Sequence, residues 1–580
     1  MKRNKIILGS VGIIAIAAIA FVGPWNLTDS KGSYEQKDLT SLQNKKADDA
    51  RKWLEARYID QETGLPITPE KLALIEKQVR KANRTKSISF VEQGPDNIGG
   101  RTRAIQIDRT NIQRVWAGGV SGGLFVTTNR GDQWTRVDSY MNAGASPFIS
   151  SMTQTDNGVL YVATGSNQEG WNGNGVWYSE DFGSTWAVIP GTSSVTEIVS
   201  SDVSNKVWLA TGTGLKTWNL GDASLTSVTV TSGGCTALAI SKDGNVLVAA
   251  MASNKTYIST DAGANWADKS GSGAGLVPTG APRIEYAISP TKNSSNNYSI
   301  YAARTNSNLA GMNVSHDNGN TWSQFVGASG TPSNLDIYRD QGTYNSIMSV
   351  VPNDPEKILI GGIDIWQWKQ TVNNPPSGGF EKLTEWFLPP YSSKYAHADN
   401  HEMKWDSQNR LYIGNDGGVG ITNDFGETWY PANRGYNVTQ FYGIAFDNVG
   451  SVMGGTQDNG TLYNDHTLST FQEFREVNGG DGLECEISFY NPRVMFSSVY
   501  NNSISRSGDR GETWSSFVPV LPGTYDPAGT AGNFHPFHTE FVLAEYYDLN
   551  SEDTVTFIPS KNYAAGTTIQ IPSMSTGDSM

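Results

Sequence analysis

Two patterns of hydrophobic and polar positions divide this chain. From about Gly94 onward, short runs rich in Val, Ile, Tyr and Phe alternate with clusters of Gly, Asn and Asp. Runs of this length with such punctuation predict β-strands joined by tight turns. Between Tyr34 and Lys86 the chain is instead rich in Lys, Glu, Gln and Ala and poor in Gly, with apolar residues at helical spacing. The sequence therefore predicts an all-β region preceded by a short helical segment.

The helical segment contains two predicted helices. One carries Ala47, Ala50, Leu54 and Tyr58 on one face, and the other carries Leu72, Ile75, Val79 and Ala82. Thr68, Pro69 and Glu70 suit a helix start, because they supply a hydroxyl cap, a proline in the first turn and an acidic side chain. We interpret the pair as a spacer or as helices packed on the β-domain.

An eight-residue pattern recurs six times in the β-region, and we call each copy an octapeptide turn. It has Ser or Thr first, Asp or Asn third, Gly fifth and Trp eighth. The third residue can accept hydrogen bonds from following backbone N–H groups, and Gly allows a positive φ. The Trp can cover the hairpin. The six copies are Thr127–Trp134, Ser179–Trp186, Ser259–Trp266, Ser315–Trp322, Thr422–Trp429 and Ser507–Trp514.

The unequal spacing of the copies indicates repeats that have lost the octapeptide. Strand-like stretches occupy three of the longer intervals, at Lys206–Leu215, Ile358–Trp366 and Ser451–Gly460. The expected total is about nine four-stranded units, and Phe537–Pro559 resembles the start of another. Rings of this kind usually hold four to eight units. The chain is therefore either an unusually large ring or one closed ring followed by part of a second.

The amino terminus has the pattern of an export signal. Lys2, Arg3 and Lys5 precede an apolar run from Ile6 to Val22, which is about long enough to span a membrane. A cleaved signal peptide and an uncleaved anchor both fit. We expect residues 1–25 to be this segment, 34–90 the helical segment, 94–520 the β-domain, and 521–580 a further strand-rich unit, complete or incomplete.

The amino-acid composition limits the classes of partner that the chain can bind. The formal net charge of −14 argues against nucleic acid, because phosphate binding requires a basic surface. The only two cysteines, Cys235 and Cys485, are far apart in sequence, so spacing does not decide whether they pair. Cofactors are not indicated, and a membrane is expected only through the amino-terminal segment.

The octapeptide turns resemble the Asp-box, or BNR, repeat of sialidases, sortilins and two-propeller xyloglucanases. The segments Gly94–Arg103, Gly414–Gly418 and Gly454–Gly460 are similar to exported, sortilin-type propellers of Bacteroidetes. The resemblance covers roughly Gly94 to Pro519 and implies an all-β propeller fold. Such proteins often carry a carboxy-terminal sorting domain for secretion, and no such pattern is seen here.

The resemblance also supplies tests for enzymatic function. Sialidases of this fold carry an Arg-Ile-Pro motif near the start and an arginine triad, whereas here only Arg283-Ile284-Glu285 comes close, in mid-chain. Xyloglucanases carry an aspartate in a turn of the first blade, where this chain has Val120. Glycoside hydrolysis normally needs two carboxyl groups, so this departure argues against the activity.

Some polar residues are needed neither for turn formation nor for packing. They occur at positions that face one mouth of a propeller. These positions are the entries to first strands and the turns between second and third strands. In a closed ring they should converge, and their mixed charges favour a polar ligand, including a carboxylate held by the two arginines. The expected ligand-binding residues are Arg101, Arg103, His397, Asp399, His401, Asp416, Asp458 and Asp481.

If Tyr395–Met403 is extended, His397, Asp399 and His401 point to the same side. Three readings remain open: a hydrogen-bonded polar strand, a ligand contact or a divalent-metal site. Protonation of either histidine would make binding change between about pH 5 and 8.

Three functions remain open for the chain. The first is a non-catalytic, extracytoplasmic binding protein for a peptide, protein or glycan. The second is a polysaccharide hydrolase that uses Asp416 with Asp399, Asp458 or Asp481, for which the separation of the carboxyl groups is decisive. The third is a scaffold or assembly factor for a membrane complex.

Overall fold

The computed structural model describes residues 92–165, 170–327, 335–466, 472–500, 502–517 and 537–545, together with residues 67, 71 and 74. Outside them lie the amino-terminal apolar run, most of 521–580, and the predicted helical segment except for those three residues. The described residues form nine four-stranded antiparallel sheets, numbered here in chain order, in which every strand pairs with its neighbours in sequence. The predicted all-β class and the expected count of nine units are confirmed.

Sheets 1 to 4 contain strands β1 to β16. Their bounds are β1 Thr102–Ile107, β2 Val115–Gly119, β3 Leu124–Thr127, β4 Trp134–Arg136; β5 Ile149–Gln154, β6 Leu160–Thr164, β7 Val176–Ser179, β8 Ala187–Val188; β9 Glu197–Val199, β10 Lys206–Thr211, β11 Gly214–Asn219, β12 Thr226–Ser227; β13 Cys235–Ile240, β14 Leu247–Met251, β15 Lys255–Ser259 and β16 Ala267–Asp268. The helix α1 spans Asp138–Asn142, and a 3-10 turn spans Ala252–Asn254.

Sheets 5 to 9 contain strands β17 to β36. Their bounds are β17 Arg283–Lys292, β18 Tyr298–Thr305, β19 Leu309–Ser315, β20 Ser323–Gly327; β21 Ile347–Val350, β22 Lys357–Gly361, β23 Ile365–Asn373, β24 Pro376–Lys382; β25 Asn400–Trp405, β26 Leu411–Asn415, β27 Gly418–Thr422, β28 Tyr430–Pro431; β29 Phe441–Phe446, β30 Val452–Thr456, β31 Thr461–Asn464, β32 Arg475–Asn478; β33 Cys485–Ile487, β34 Met495–Val499, β35 Ser503–Ser507 and β36 Ser515–Phe517.

The first seven sheets close into a ring. The first strand of each sheet contacts the first strand of the next, from β1 through β5, β9, β13, β17 and β21 to β25, and β25 contacts β1 in turn. A shared hydrophobic cluster joins sheet 1 to sheet 7 and includes Ile105, Phe125, Tyr412 and Tyr436. Of the two architectures left open by the sequence, the structure has the second. It is a closed seven-bladed β-propeller followed by further sheets.

Ring closure uses loops rather than a shared strand. The segment before β1 meets the segment after β28, where the amide of Gly435 donates to the carbonyl of Asp96 at 2.6 Å. Arg434 forms an ion pair with Asp96 at 3.0 Å, and the indole of Trp134 donates to the carbonyl of Ala432 at 2.7 Å. The two ends of the ring are therefore held together by hydrogen bonds and by packing.

The second strands explain why the sequence shows short, nearly continuous apolar runs. Each blade of the ring packs on both faces, so β2, β6, β14 and β26 are buried at every position. A strand covered on both faces does not alternate between apolar and polar residues. The stretches at Lys206–Leu215 and Ile358–Trp366 are such second strands with the turns that follow, in sheets 3 and 6.

The octapeptide turns connect the third and fourth strands of six sheets. In sheet 2, Ser179 Oγ donates to Asp181 at 2.8 Å and accepts from the amide of Gly183 at 2.8 Å. Asp181 accepts from the amide of Thr185 at 2.8 Å, and the indole of Trp186 donates to the carbonyl of Gly183 at 3.1 Å. The side chains thus form hydrogen bonds with the backbone groups of the turn, as their residue types predicted.

The fourth position of the turn shows a feature that the sequence did not indicate. Six non-glycine residues there have φ between +56° and +65°, immediately before the glycine: Arg130, Phe182, Ala262, Asn318, Phe425 and Arg510. Two consecutive left-handed residues are costly without glycine at one of them. The hydrogen bonds from the first and third side chains stabilise this backbone.

Sheets 8 and 9 belong to a separate compact unit that begins after Thr439, whereas the ring belongs to the other. Within it, β29 contacts β33, and a cluster containing Ala445, Met453 and Cys485 joins the two sheets. Residues 537–545 contain no strand. Cys235 and Cys485 are each buried and unpaired. Among the described residues, no helix is long and apolar enough to cross a membrane.

The eighth residue of the octapeptide should contribute stability in proportion to its burial. Trp429 is only 3% exposed and packs with Leu383 and Leu411 between sheets 6 and 7, whereas Trp186 is partly exposed. We expect Trp429→Ala to lower the free energy of unfolding by about 3–5 kcal/mol, and Trp186→Ala by less. Denaturant unfolding of both variants measures the difference, and equal losses would contradict this packing account.

Candidate functional site

Five of the expected ligand-binding residues meet at one edge of the ring, which we call the entry face. This face is formed by the entries to first strands and the turns between second and third strands. Arg101 and Arg103 stand at the start of β1, His401 lies in β25 with Asp399 just before it, and Asp416 follows β26. The octapeptide turns lie at the opposite edge, as Arg130 shows by bonding to the carbonyl of Gln113 in the turn between β1 and β2.

Asp416 is the centre of the cluster and is only 1% exposed. One carboxylate oxygen accepts from His401 Nε2 at 2.7 Å. The other accepts from the Tyr344 hydroxyl at 2.7 Å and lies 3.3 Å from Nε of Arg101. Burial alone would raise the pKa of Asp416, but the charge of Arg101 and the contact with His401 hold it well below its ordinary value. Asp416 is therefore an ionised internal hub.

His401 bridges Asp416 and Arg103. Arg103 Nη1 lies 2.8 Å from His401 Nδ1, and because arginine can only donate, Nδ1 accepts and Nε2 carries the proton donated to Asp416. Burial, followed by the charge of Arg103, lowers the pKa of His401 to about 4. The expectation that His401 titrates between pH 5 and 8 is wrong, because these surroundings keep the ring neutral over that range.

Tyr344 joins the two arginines. The guanidinium carbons of Arg101 and Arg103 lie 5.8 and 4.7 Å from the centre of its ring. His401 meets the same ring edge-on at 5.0 Å. Arg283 at the start of β17 fixes this segment by donating to the carbonyls of Tyr344 at 2.8 Å and Ser346 at 2.6 Å. Arg283 belongs to the segment that partly matches the Arg-Ile-Pro motif of sialidases. In this structure it holds Tyr344 in place.

Asp399 departs from the geometry that the sequence predicted. Its φ is +62°, and β25 begins only at Asn400, with a register irregularity between Asn400 and Glu402. The condition that Tyr395–Met403 is extended is therefore not met, and the simple alternation of His397, Asp399 and His401 that depended on it fails. Aspartate tolerates the left-handed conformation better than most residues, which permits this turn.

The same turn places Asp399 near the other charges. Asn345 donates its amide to Asp399. Burial, followed by the negative charge of Asp416, raises the pKa of Asp399 to about 7, against opposing effects of Asn345, Arg101 and Arg103. Two carboxyl groups in one cluster thus differ strongly in their affinity for a proton, and Asp399 is the group that titrates near neutral pH.

The described residues contain no group of three His, Cys, Asp or Glu side chains arranged to hold a metal ion. In the cluster, both ring nitrogens of His401 already have hydrogen-bond partners. His397 lies with its ring against Gly417, and its Nδ1 is 3.1 Å from the carbonyl of Ala398. The weak metal candidate formed by His397, Asp399 and His401 therefore has no support in this geometry.

Asp458 and Asp481 belong to the other compact unit. The amide of Asp458 donates to the carboxylate of Asp481 at 2.9 Å, so these two residues are neighbours. They lie in sheet 8 and in the connection to sheet 9, and the closed ring does not contain them. The expectation that ring closure brings all eight residues to one mouth is corrected accordingly: the ring gathers Arg101, Arg103, Asp399, His401 and Asp416, with the ring of His397 against Gly417.

Val120 has a structural role in the first turn of the entry face. It is 1% exposed, and its amide donates to the carbonyl of Arg101 at 2.9 Å. The position where the resemblance would place a catalytic aspartate thus holds a buried apolar side chain that helps fix Arg101.

Three contributors to the cluster were missed by sequence reasoning: Tyr344, Asn345 and Arg283. Tyr344 and Asn345 occupy the entry to β21, the same position in sheet 6 that Arg101 occupies in sheet 1. Sheet 6 lacks the octapeptide, so this motif does not locate its first strand in the sequence. Extending the strand-entry rule to this sheet would have found them.

No protein-family model matches the chain, and no curated protein matches it. Solved structures do match. A GH74 enzyme of Niastella koreensis is 14% identical, with a TM-score of 0.53, over 74% of this chain and 67% of the enzyme. An ancestral GH74 enzyme is 14% identical, with a TM-score of 0.47, over 73% of this chain and 69% of that chain. The GH74 xyloglucanase from Xanthomonas campestris is 12% identical, with a TM-score of 0.32, over 73% and 80%. At these identities the likeness concerns the propeller fold.

The raised pKa of Asp399 predicts a pH-dependent stability. In the unfolded chain an aspartate loses its proton near pH ~3.9, whereas folded Asp399 keeps it to about pH 7. Its contribution to stability is therefore complete below pH ~4 and declines as pH rises towards 7. Asp399→Asn removes this loss, so the variant should gain at least about 1 kcal/mol over the parent protein between pH 4 and pH 8.

Denaturant unfolding at the two pH values measures this gain. Asp138→Asn is the matched control, because Asp138 is exposed and pairs with Arg136 at the surface. A difference between parent and Asp399→Asn that stays constant with pH would show that Asp399 is ionised throughout.

Proposed function

We propose that the chain is a non-catalytic binding protein that holds a carboxylate-bearing ligand, such as a peptide terminus or an acidic sugar, at the entry face of the ring. The observation that carries this proposal is the placement of two arginines over one tyrosine ring at the start of β1. Arg101 and Arg103 come from alternate positions of one strand entry, and the Tyr344 ring fixes the direction of both guanidinium groups.

The carboxylate that pairs with Arg101 is not available for ligand contact. Asp416 is buried, its two oxygens accept hydrogen bonds from His401 and Tyr344, and Arg101 forms an ion pair with one of them. Arg101 and His401 beside it are buried as well, so Arg103 is the arginine of the pair that reaches the entry face. Arg103 is partly exposed, and its histidine partner is neutral, so the contact between them does not cancel the arginine charge.

Guanidinium groups suit a carboxylate because two parallel N–H donors match its two oxygens. A preorganised arginine loses less conformational entropy on binding than a mobile one. The charge of Asp399 affects the same site. When Asp399 is protonated it adds no negative charge, and when it is ionised its negative charge repels an anionic ligand. Binding should therefore be tighter below about pH 7 than above it.

The family and the cellular location are also part of this proposal. The six turns share the residue types of the Asp-box, and in each the first side chain donates to the third and accepts from the glycine amide, which supports a place among Asp-box propellers of the sortilin type. The amino-terminal sequence pattern supports export to the periplasm, the cell surface or the medium.

A second candidate function is polysaccharide hydrolysis. One observation favours it: Asp399 and Asp416 lie in one cluster and their pKa values are displaced in opposite directions, as in an acid and base pair. The burial of Asp416 opposes it, because a catalytic carboxylate must touch its substrate. A hydrolysis screen on polysaccharides, with Asp399→Asn as the inactive reference, would favour this candidate if the parent protein alone released sugar.

Replacing Arg103 should weaken carboxylate binding without unfolding the ring. We expect Arg103→Met to lose at least about tenfold in affinity for the ligand, as for a charge-assisted hydrogen bond worth about 1.5–3 kcal/mol. Arg103→Lys should give an intermediate loss, because it keeps the charge and loses the planar fork. A peptide and glycan array identifies carboxylate-bearing binders, and calorimetry then measures the affinities.

The matched control is Arg136→Met, which removes an exposed arginine paired with Asp138 on β4 of the same sheet. Its affinity should equal that of the parent protein. Ligands whose neutral amides bind as tightly as the acids, or an Arg103→Met variant with full affinity, would contradict the proposal.

A further inference from the structure

A second buried arginine of the ring lies away from the entry-face cluster. Arg304 is on β18 of sheet 5 and is 7% exposed, close to the 8% of Arg101. Arg101 has the carboxylate of Asp416 beside it. No ion pair or hydrogen bond of Arg304 with another described residue is found, and its Nε is a buried donor without an acceptor.

A second unsatisfied side chain lies next to it. Asn313 on β19 is fully buried, and neither its amide nitrogen nor its amide oxygen has a hydrogen-bond partner among the described residues. Ala302 pairs with Asn313 and Arg304 pairs with Gly311, so the two polar side chains are diagonal neighbours on one face of the sheet. This face also carries Ile300 and Ala302, whose cluster continues into sheet 4.

The backbone around Arg304 is shaped to seat its guanidinium. Gly311 has a φ of +155°, and a Cβ at this position would collide with Nη2 of Arg304. The same Cβ would also lie 2.9 Å from the carbonyl oxygen of Val326 and 3.0 Å from Nε2 of Gln324. A side chain at position 311 would therefore displace the guanidinium from the face of the sheet.

An isolated charge in this position is costly, because burial removes water without supplying a counter-charge. Burial also lowers the pKa of Arg304, with no opposing effect from any acidic group. Buried polar atoms in folded proteins nearly always have partners. A bound anion would satisfy both the charge and the free donors.

We propose that Arg304 and Asn313 form a binding site for a small carboxylate anion between sheets 4 and 5. One guanidinium balances one negative charge, so a monoanion fits better than sulfate or phosphate. The planar N–H edge of arginine matches the two oxygens of a carboxylate. The amide of Asn313 adds one donor for the anion and one acceptor for a hydroxyl or N–H group that it carries.

Acetate is the probe for this site, with thermal unfolding followed by tryptophan fluorescence. Sodium acetate replaces sodium chloride at constant ionic strength, and acetamide serves as the neutral analogue. Acetate should raise the Tm in a saturable manner, as expected for a ligand of the folded state, and acetamide should not. An equal effect of acetamide, or a larger effect of sulfate, would overturn the carboxylate assignment.

The variants locate the effect. Arg304→Met should abolish the acetate-dependent rise in Tm, whereas Arg109→Met should keep it. Arg109 is a partly buried arginine that already has partners, with an ion pair to Asp202 at 3.3 Å and a hydrogen bond to the carbonyl of Ser200 at 3.0 Å. These variants and Asn313→Asp are made in the Arg103→Met background, which removes the carboxylate contact proposed for the entry face and so restricts the acetate response to this site. A rise that persists in Arg304→Met would overturn the proposal.

Asn313→Asp provides a test that does not depend on removing the arginine. It places a carboxylate of the chain itself beside Arg304, so the Tm without acetate should rise and the response to acetate should disappear. A lower Tm with an unchanged acetate response would show that the arginine does not attract a carboxylate at this position.

Discussion

The packing of sheet on sheet around the ring is the constraint on which the rest of this structure depends. Each blade of the ring buries both faces, and the first and seventh blades are covered on both faces only when they pack against each other. The cluster that contains Phe125 and Tyr436 meets this requirement, because it joins sheet 1 to sheet 7. Short apolar strands, glycine-rich turns and the saturated octapeptide turns all serve this face-to-face packing.

Closure of the ring also creates the polar cluster. Arg101 and Asp416 are brought into contact only when the first and seventh sheets meet, and Tyr344 reaches them from the sixth. The apolar walls then exclude water, which strengthens each charge interaction and raises the cost of any unpaired group. The cluster is therefore a direct product of the fold: burial raises the pKa of Asp399, whereas at Asp416 the charge of Arg101 and the contact with His401 outweigh the same effect of burial.

Local chemistry made most of the fold predictable from sequence. Octapeptide turns are defined by residues within eight positions, and strand lengths by short apolar runs, so the unit count could be read directly. The site was predictable only in part. The rules for strand entries and for turns between second and third strands find Arg101 and Asp416, but not the turn at Asp399, whose backbone conformation depends on its surroundings. Arg304 could not be found at all, since in sequence a buried arginine looks like an exposed one. The pKa of His401 likewise depends on burial and on Arg103, which lies 298 positions away.

The loop closure between Asp96 and Arg434 has a consequence for how the chain folds. These two residues are 338 positions apart, yet every sheet is built from four consecutive strands. Contacts within a sheet are thus local, and forming them costs little loop-closure entropy. The closing contact instead restricts the conformational freedom of nearly the whole ring at once. Folding should resemble that of a linear repeat array, in which neighbouring sheets assemble first and the ends join last. Until that final step the outer faces of the first and seventh sheets are exposed to solvent, so the ring is most vulnerable to aggregation just before it closes.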